Sequence, residues 1–154
     1  MRSRKWMYMF VLGVLQMGIA IGCGGGSSDS NGSMSGGSQT GSSFSQNVQP
    51  IFNARCTAGC HSGSSPQGGL DLSAGVSYAN LVNKAVSLDC AASSPGAVRV
   101  NPGDPQGSML WRKLANTGDK CLSAMPLGTS GLINVARSDF DSIEKWIQEG
   151  ALNN

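Results

Sequence analysis

The sequence has a single histidine, few charged residues and few aromatic residues. His61 is the only imidazole among 154 residues, Asp, Glu, Lys and Arg together make up 13% of the chain, and aromatic residues make up 6%. A site that needs two histidine side chains of this chain is therefore excluded. Beyond the first five residues there are eight Lys and Arg against nine Asp and Glu. No basic patch is left there to bind nucleic acid.

The sequence also lacks an apolar run of the length that a membrane-spanning helix requires. Trp6–Ile21 is apolar apart from Gln16, and it falls short of the roughly 20 residues needed to cross a bilayer. Three basic residues precede this run within the first five positions. A short apolar run after a positive segment is typical of an export signal, which we place at Met1–Gly22.

The end of this signal resembles a bacterial lipobox. The residues are Ala20-Ile21-Gly22-Cys23, with alanine where leucine is commoner. We expect Cys23 to be lipidated and to anchor the protein to a membrane, with a plain signal peptide or an uncleaved anchor as alternatives. Gly24 is not the aspartate that retains some lipoproteins in the inner membrane. This favours the bacterial outer membrane, on its periplasmic or cell-surface side.

A low-complexity segment separates the signal from the rest of the chain. Gly24–Ser43 is almost wholly Gly, Ser, Asn, Gln and Thr, a composition that buries too little apolar surface to fold. We interpret it as a flexible tether with a root-mean-square reach of about 25 Å. The remaining residues, 44–154, are enough for one domain.

The segment that precedes two closely spaced cysteines has the periodicity of a helix. Pro50 fits only in its first turns or at a kink. The spacing predicts a helix that runs directly into Cys56. The apolar residues at helical spacing are Phe44, Val48, Ile51 and Phe52.

Two short helices are predicted in the middle of the chain from their capping residues. Ser73 is placed to cap a helix whose apolar side includes Leu81. Asp104 and Pro105, a capping residue followed by a first-turn proline, begin a helix that continues through Leu114.

The last helix has the clearest signals. Ser138 caps it, Asp141 lies in its first turn and Gly150 stops it. Lys84–Val100 and Thr117–Val135 are interpreted as loops, so the domain is predicted to be all-α with long loops. The apolar stripe of the last helix consists of Phe140, Ile143, Trp146 and Ile147.

The hexapeptide Cys56-Thr57-Ala58-Gly59-Cys60-His61 carries the most specific chemistry in the chain. Two close thiols followed at once by an imidazole are typical of covalent c-type haem attachment, with the histidine as the proximal iron ligand. The usual spacing has two residues between the cysteines, and this chain has three. Gly59 permits unusual backbone dihedrals, so the extra residue can bulge without displacing His61 from Cys60.

Two other interpretations of this hexapeptide stay open at the level of its residues. Cys56 and Cys60 could form a local disulfide, with His61 as a turn residue. The same three side chains could also bind zinc or copper directly. A structural zinc site takes four protein ligands, and the remaining cysteines are far away in the sequence.

A sixth iron ligand follows by elimination. Methionine sulfur is the standard partner of histidine in cytochromes c and raises the haem potential. Met34 lies in the predicted tether, and Met109 lies in a helix where packing is the simpler role. Met125 precedes Pro126 on a loop, where the proline favours an extended backbone. We therefore expect His61 and Met125 as the two iron ligands of a single haem c.

The remaining cysteines can then be paired. With one cysteine lipidated and two attached to haem, Cys90 and Cys121 are left. A disulfide between them would close a loop of about 30 residues, contribute roughly 3 kcal/mol and brace the loop that carries Met125. Without haem, the alternative is two structural disulfides.

Several motifs in order resemble bacterial cytochrome c domains of the planctomycete type. The resemblance covers about Phe44–Ala151 and implies a class I-like cytochrome c fold with one covalent haem in a cleft. It also implies that the first and last helices pack against each other, with Phe52 and Trp146 meeting there. The motifs are Val48–Phe52, Gly68–Ser73, Arg99–Pro105 with Ser108 and Leu110, Met125-Pro126 and Ile143–Ala151.

Four residues are candidates for secondary roles around such a haem. Pro66 could offer its carbonyl to the other nitrogen of the imidazole, beside the plainer role of a turn proline. Tyr78, Arg99 and Trp111 could contact haem propionates, beside plain packing or surface roles.

These expectations combine into a lipid-anchored, extracytoplasmic monohaem cytochrome c that exchanges electrons with redox partner proteins. An iron with both axial positions filled leaves no vacant site, so neither catalysis nor a small-molecule substrate is expected. One alternative is a haem-free, disulfide-stabilised lipoprotein that serves as a binding or structural module. Another is a sensor or small enzyme with an open haem position.

Overall fold

The structure, a computed structural model, describes residues 41–154. The predicted export signal, the lipidation site Cys23 and most of the predicted tether lie outside these residues. The described part is helix-rich, with isolated β-bridges and no strand, as an all-α fold requires. The α-helices are α1 (Gln49–Arg55), α2 (Ser77–Leu81), α3 (Leu88–Ser93), α4 (Met109–Ala115), α5 (Leu132–Val135) and α6 (Arg137–Gln148).

The first predicted helix is present, but its beginning is irregular. Phe44–Val48 forms a π-helical turn, capped by the Ser43 hydroxyl, which accepts a hydrogen bond from the Gln46 amide at 3.3 Å. α1 continues from it with Pro50 in its first turn, where no helical hydrogen bond is lost. Cys56 follows α1 directly, as the spacing predicted.

An aromatic cluster joins the start of the domain to α6. The rings of Phe44 and Trp146 lie 5.1 Å apart, and the rings of Phe44 and Phe52 lie 6.2 Å apart. The Tyr78 ring also packs on Phe44, at 5.3 Å. The predicted neighbours Phe52 and Trp146 are both fully buried, but Phe44 is the ring that contacts each of them.

α6 closes the core with the predicted stripe. Phe140, Ile143, Trp146 and Ile147 are all at most 2% exposed. The predicted cap is wrong by two residues: the N-cap is Ala136, α6 begins at Arg137, and Ser138 lies inside it. Asp139 rather than Asp141 occupies the first turn.

Two other predicted helix starts are too early. The Asp104 carboxylate accepts a hydrogen bond from the Gly107 amide at 2.8 Å and so forms a turn ahead of α4. Likewise, the Ser73 carbonyl accepts hydrogen bonds in a turn that precedes α2. The predicted loops contain the short helices α3 and α5, which sequence periodicity did not reveal because each has at most six residues.

The residues just before Phe44 already belong to the folded unit. The Ser42 amide donates a hydrogen bond to the Glu149 carboxylate, and the Ser43 hydroxyl donates to the Asn154 carbonyl at 2.8 Å. Ordered contacts therefore begin slightly before the predicted end of the tether.

Between residues 41 and 154, none of the helices has the length and apolar character that crossing a bilayer demands.

Candidate functional site

The hexapeptide forms a tight turn at the end of α1. The Cys56 amide donates to the Phe52 carbonyl at 2.9 Å, and the His61 amide donates to the Cys56 carbonyl at 3.0 Å. Gly59 has a φ of +73°, a left-handed conformation that favours glycine. The extra residue is thus absorbed in a turn that Gly59 permits, and His61 stays directly after Cys60.

One cavity of about 660 Å³ gathers the predicted site residues. Its walls are mostly apolar, with leucines from four segments of the chain, Leu70, Leu81, Leu110 and Leu114 among them. The predicted residues that border it are Cys56, Cys60, His61 and Met125. The fold therefore brings Met125 to the same cavity as a motif that ends 64 positions earlier in the sequence.

The imidazole of His61 is held by the main chain. Its Nδ1 lies 3.1 Å from the carbonyl oxygen of Leu70. Because a carbonyl oxygen only accepts hydrogen bonds, Nδ1 must donate, so the tautomer with its proton on Nδ1 leaves Nε2 free to bind a ligand. Pro66, the predicted acceptor, instead accepts from the Gly69 amide. The bond between Nδ1 and the Leu70 carbonyl fixes the orientation of the ring.

The two thiols of the hexapeptide are free and differ in environment. Cys60 is exposed and Cys56 is half-buried. Burial raises the pKa of Cys56 to about 11, and its neighbour Arg55 opposes this only in part. No group of three His, Cys, Asp or Glu side chains within residues 41–154 is placed to hold a bare metal ion.

Two methionines border the cavity, and they differ in burial and in their hydrogen bonds. Met109 is 3% exposed, and its sulfur accepts a hydrogen bond from the Cys121 amide at 3.4 Å. Met125 is half-buried on the loop between α4 and α5. Main-chain hydrogen bonds of 2.9 Å fix its position, from its amide to the Lys113 carbonyl and from the Leu132 amide to its carbonyl.

A disulfide joins Cys90 and Cys121 beside this cavity. Their Cα atoms are 5.3 Å apart, within the usual range for a disulfide, and both residues are buried. Cys90 lies on α3, not in a loop as predicted, and borders the cavity itself. Lys113 reinforces the same loop, since its ammonium donates to the carbonyls of Cys121 and Ser123.

Three basic side chains and no acidic one border the cavity, namely those of Arg55, Arg99 and Lys113. Arg55 pairs with Asp139. The Arg99 guanidinium donates to the carbonyls of Asn80 at 2.8 Å and Gly69 at 3.3 Å. Partial burial lowers the pKa values of both Arg99 and Lys113. A ligand with carboxylates would therefore meet two cations without an acidic partner in the cavity.

The other two propionate candidates have structural roles instead. The Tyr78 hydroxyl donates to the Ala151 carbonyl at 2.9 Å. The Trp111 indole donates to the Glu144 carboxylate at 2.8 Å. Neither residue borders the cavity.

Sequence reasoning missed several cavity residues. Leu122 and Leu127 border it while 72% and 67% exposed, and Met109 and Cys90 form part of its wall. Leu70 supplies the acceptor for His61 through its backbone. A backbone acceptor leaves no signal in residue identity. The leucines that follow Cys121 and Pro126 in the sequence, however, could have been considered as cavity residues.

Scans of the chain against protein-family models, curated proteins and solved structures found no match.

Proposed function

We propose that the protein is an extracytoplasmic, lipid-anchored monohaem cytochrome c that transfers electrons. One observation carries this proposal: Cys56, Cys60, His61 and Met125 border a single, largely apolar cavity. Its volume of about 660 Å³ falls in the range of ligand and cofactor sites, roughly 300–1,000 Å³.

The chemistry of the donors supports a haem more than any other cofactor. Cys56 and Cys60 are free thiols available for thioether links. His61 offers Nε2 with its ring held through Nδ1, and Met125 offers a thioether sulfur. Arg99 and Lys113 would neutralise the propionates. A covalently attached haem supplies one-electron redox chemistry at its iron.

Met125 is the better of the two sulfur candidates. The Met109 sulfur is already engaged by the Cys121 amide, whereas no hydrogen bond involves the Met125 sulfur among the described contacts. With His61 and Met125 both on the iron, no position is left for a substrate, and the protein would carry electrons without catalysing a reaction. The largely apolar walls of the cavity, together with a sulfur ligand, would favour a raised potential.

The fold proposed is the class I-like cytochrome c fold. Its support is the packing of the first helical segment against the last, seen in the Phe44–Trp146 contact. Cys23 would hold the domain to the outer membrane through the tether, and its partners would be redox proteins.

Reduced pyridine haemochrome spectroscopy tests the proposal on the full chain produced with a c-type maturation system. The spectrum distinguishes haem with two thioether links from haem with one. We expect two links in the unchanged chain, one link in Cys56→Ala and in Cys60→Ala, and no covalent haem in the double variant. Absence of covalent haem from the unchanged chain would contradict the proposal.

A haem-free binding module is the second candidate, for which the largely apolar cavity would serve as the binding site. It predicts that the chain stays colourless under the same conditions.

A further inference from the structure

Two buried polar side chains, Gln49 and Ser77, are linked by a hydrogen bond next to Leu72. Gln49 lies in the first turn of α1 and is 8% exposed, and Ser77 begins α2 and is 1% exposed. Burying an amide or a hydroxyl is costly unless each is hydrogen-bonded. Apolar residues would be buried here at a lower cost in free energy. The presence of a polar pair therefore suggests a specific role for it.

The polar groups of this pair are satisfied. The Ser77 hydroxyl donates to the Gln49 side-chain oxygen. The Gln49 side-chain nitrogen donates to the Leu72 carbonyl at 3.0 Å and to the Asn53 side-chain oxygen at 2.9 Å. The bond to Leu72 is fully buried and joins residues 23 positions apart. Gln49 thus ties α1 to the segment that follows the hexapeptide loop.

The same segment holds His61 from its other side. The Leu72 amide donates to the His61 carbonyl at 2.8 Å, and the Leu70 carbonyl accepts from His61 Nδ1 at 3.1 Å. Both the backbone and the ring of His61 are therefore hydrogen-bonded to the segment Leu70–Leu72. The Gln49 side chain in turn holds this segment by donating a hydrogen bond to the Leu72 carbonyl. A contiguous series of hydrogen bonds runs from Ser77 through Gln49 and Leu72 to His61.

We infer that Gln49 is a positioning residue for His61, acting through Leu72 and the Leu70 carbonyl. This inference rests on the proposed function only in naming His61 as an iron ligand. Loss of the Gln49 amide would leave the buried Leu72 carbonyl without its side-chain donor and allow the segment to shift. The hydrogen bond from Nδ1 would weaken, and a ring with a weaker Nδ1 acceptor is a less basic ligand.

The test uses the fact that the chain has one histidine. In the full chain labelled with ¹⁵N-histidine, His61 gives a single imidazole signal set, and solvent exchange of its Nδ1 proton reports the Leu70 bond directly. The variants are Gln49→Met, which removes the amide oxygen and nitrogen at similar length, and Gln49→Glu, which keeps acceptors for Ser77. Ser108→Ala is the control, since the Ser108 hydroxyl is fully buried and bonded but contacts Asn101 and Asp104.

We expect Nδ1 proton exchange at least tenfold faster in Gln49→Met than in the unchanged chain, and within twofold in Ser108→Ala. In the haem-loaded protein the midpoint potential should rise in Gln49→Met, because a less basic imidazole stabilises the ferric iron less. Exchange and potential unchanged in a folded Gln49→Met would overturn the inference. If that variant fails to fold, Gln49→Glu provides the same readout.

Failure of both Gln49 variants to fold, with Ser108→Ala folded, would also overturn it, because Gln49 would then serve the whole fold. Failure of the proposed function can be distinguished from failure of this inference. In the first case the chain would carry no haem, while the exchange of the Nδ1 proton would still report on the role of Gln49.

Discussion

The sulfur of Met109 accepts a hydrogen bond from the backbone amide of Cys121, 3.4 Å away. This contact separates two methionines that border the same cavity. Met109 is fixed in a small cluster with the Cys90–Cys121 disulfide, and Met125 lies on the adjacent loop. The disulfide, Met109 and Lys113 together hold the loop on which Met125 is presented.

Replacing each methionine should separate ligation from packing. Met125→Ala removes the proposed sulfur ligand, so we expect the visible spectrum of the haem-loaded protein to change and its midpoint potential to fall. Met109→Leu keeps the volume of the side chain and should cost less than about 1.5 kcal/mol of stability, with the spectrum unchanged. The reverse pattern would assign the ligand to Met109.

The two hexapeptide thiols should differ in reactivity before haem is attached. Burial raises the pKa of Cys56 to about 11, and only the thiolate reacts with iodoacetamide. In the haem-free chain, Cys60 should be alkylated first at pH 8, and Cys56 should gain reactivity as the pH rises toward 11. Peptide mass mapping at several pH values measures this order. Equal rates for both thiols at pH 8 would refute it.

The Cys90–Cys121 disulfide should stabilise the domain and support the Met125 loop. Because it closes a loop of about 30 residues, replacing both cysteines by alanine should lower the free energy of unfolding by roughly 3 kcal/mol. Guanidinium unfolding followed by circular dichroism measures the change. In the haem-loaded protein without this disulfide, the Met125 sulfur should leave the iron at a lower denaturant concentration than the concentration at which the whole domain unfolds. A stability change below about 0.5 kcal/mol would show that the disulfide has no such role.

Gly131 should be the least replaceable glycine near the site. Its φ is +98°, and a Cβ there would lie 2.6 Å from the Leu114 carbonyl oxygen. Gly131→Ala should therefore cost about 2 kcal/mol or more, through backbone strain and displacement of α5 from α4. Gly118→Ala is the matched control, because a Cβ there meets nothing within 4 Å, and it should stay within about 0.5 kcal/mol. Similar costs for both variants would contradict this account.

The sequence allowed prediction of the long-range features that depend on apolar periodicity. The stripe of α6, the helix that runs into Cys56 and the helix-rich character all follow from side chains repeating on one face. Boundaries were harder to predict, because Asp104 and Ser73 form turns before their helices and so mimic caps. A helix as short as α5 has too few residues to show a period.

The sequence allowed prediction of the side chains of the candidate site, but not of the hydrogen bonds that hold them in place. Thiols, imidazole and thioether are recognised from residue type, so Cys56, Cys60, His61 and Met125 could be proposed from the sequence. The Leu70 carbonyl could not, because every residue carries a carbonyl and only the fold selects one. The Gln49–Leu72 hydrogen bond and the hydrogen bond from the Cys121 amide to the Met109 sulfur could not be predicted for the same reason, since each involves a backbone group.

Intact mass of the denatured full chain, produced with a c-type maturation system, tests the central claim most directly. Denaturation removes any haem held without covalent bonds, so a retained haem mass demonstrates covalent attachment to the chain. We expect the processed chain plus one haem, less the two hydrogens of the Cys90–Cys121 disulfide. A chain without haem and lighter by four hydrogens would mean two disulfides, and it would contradict the cytochrome.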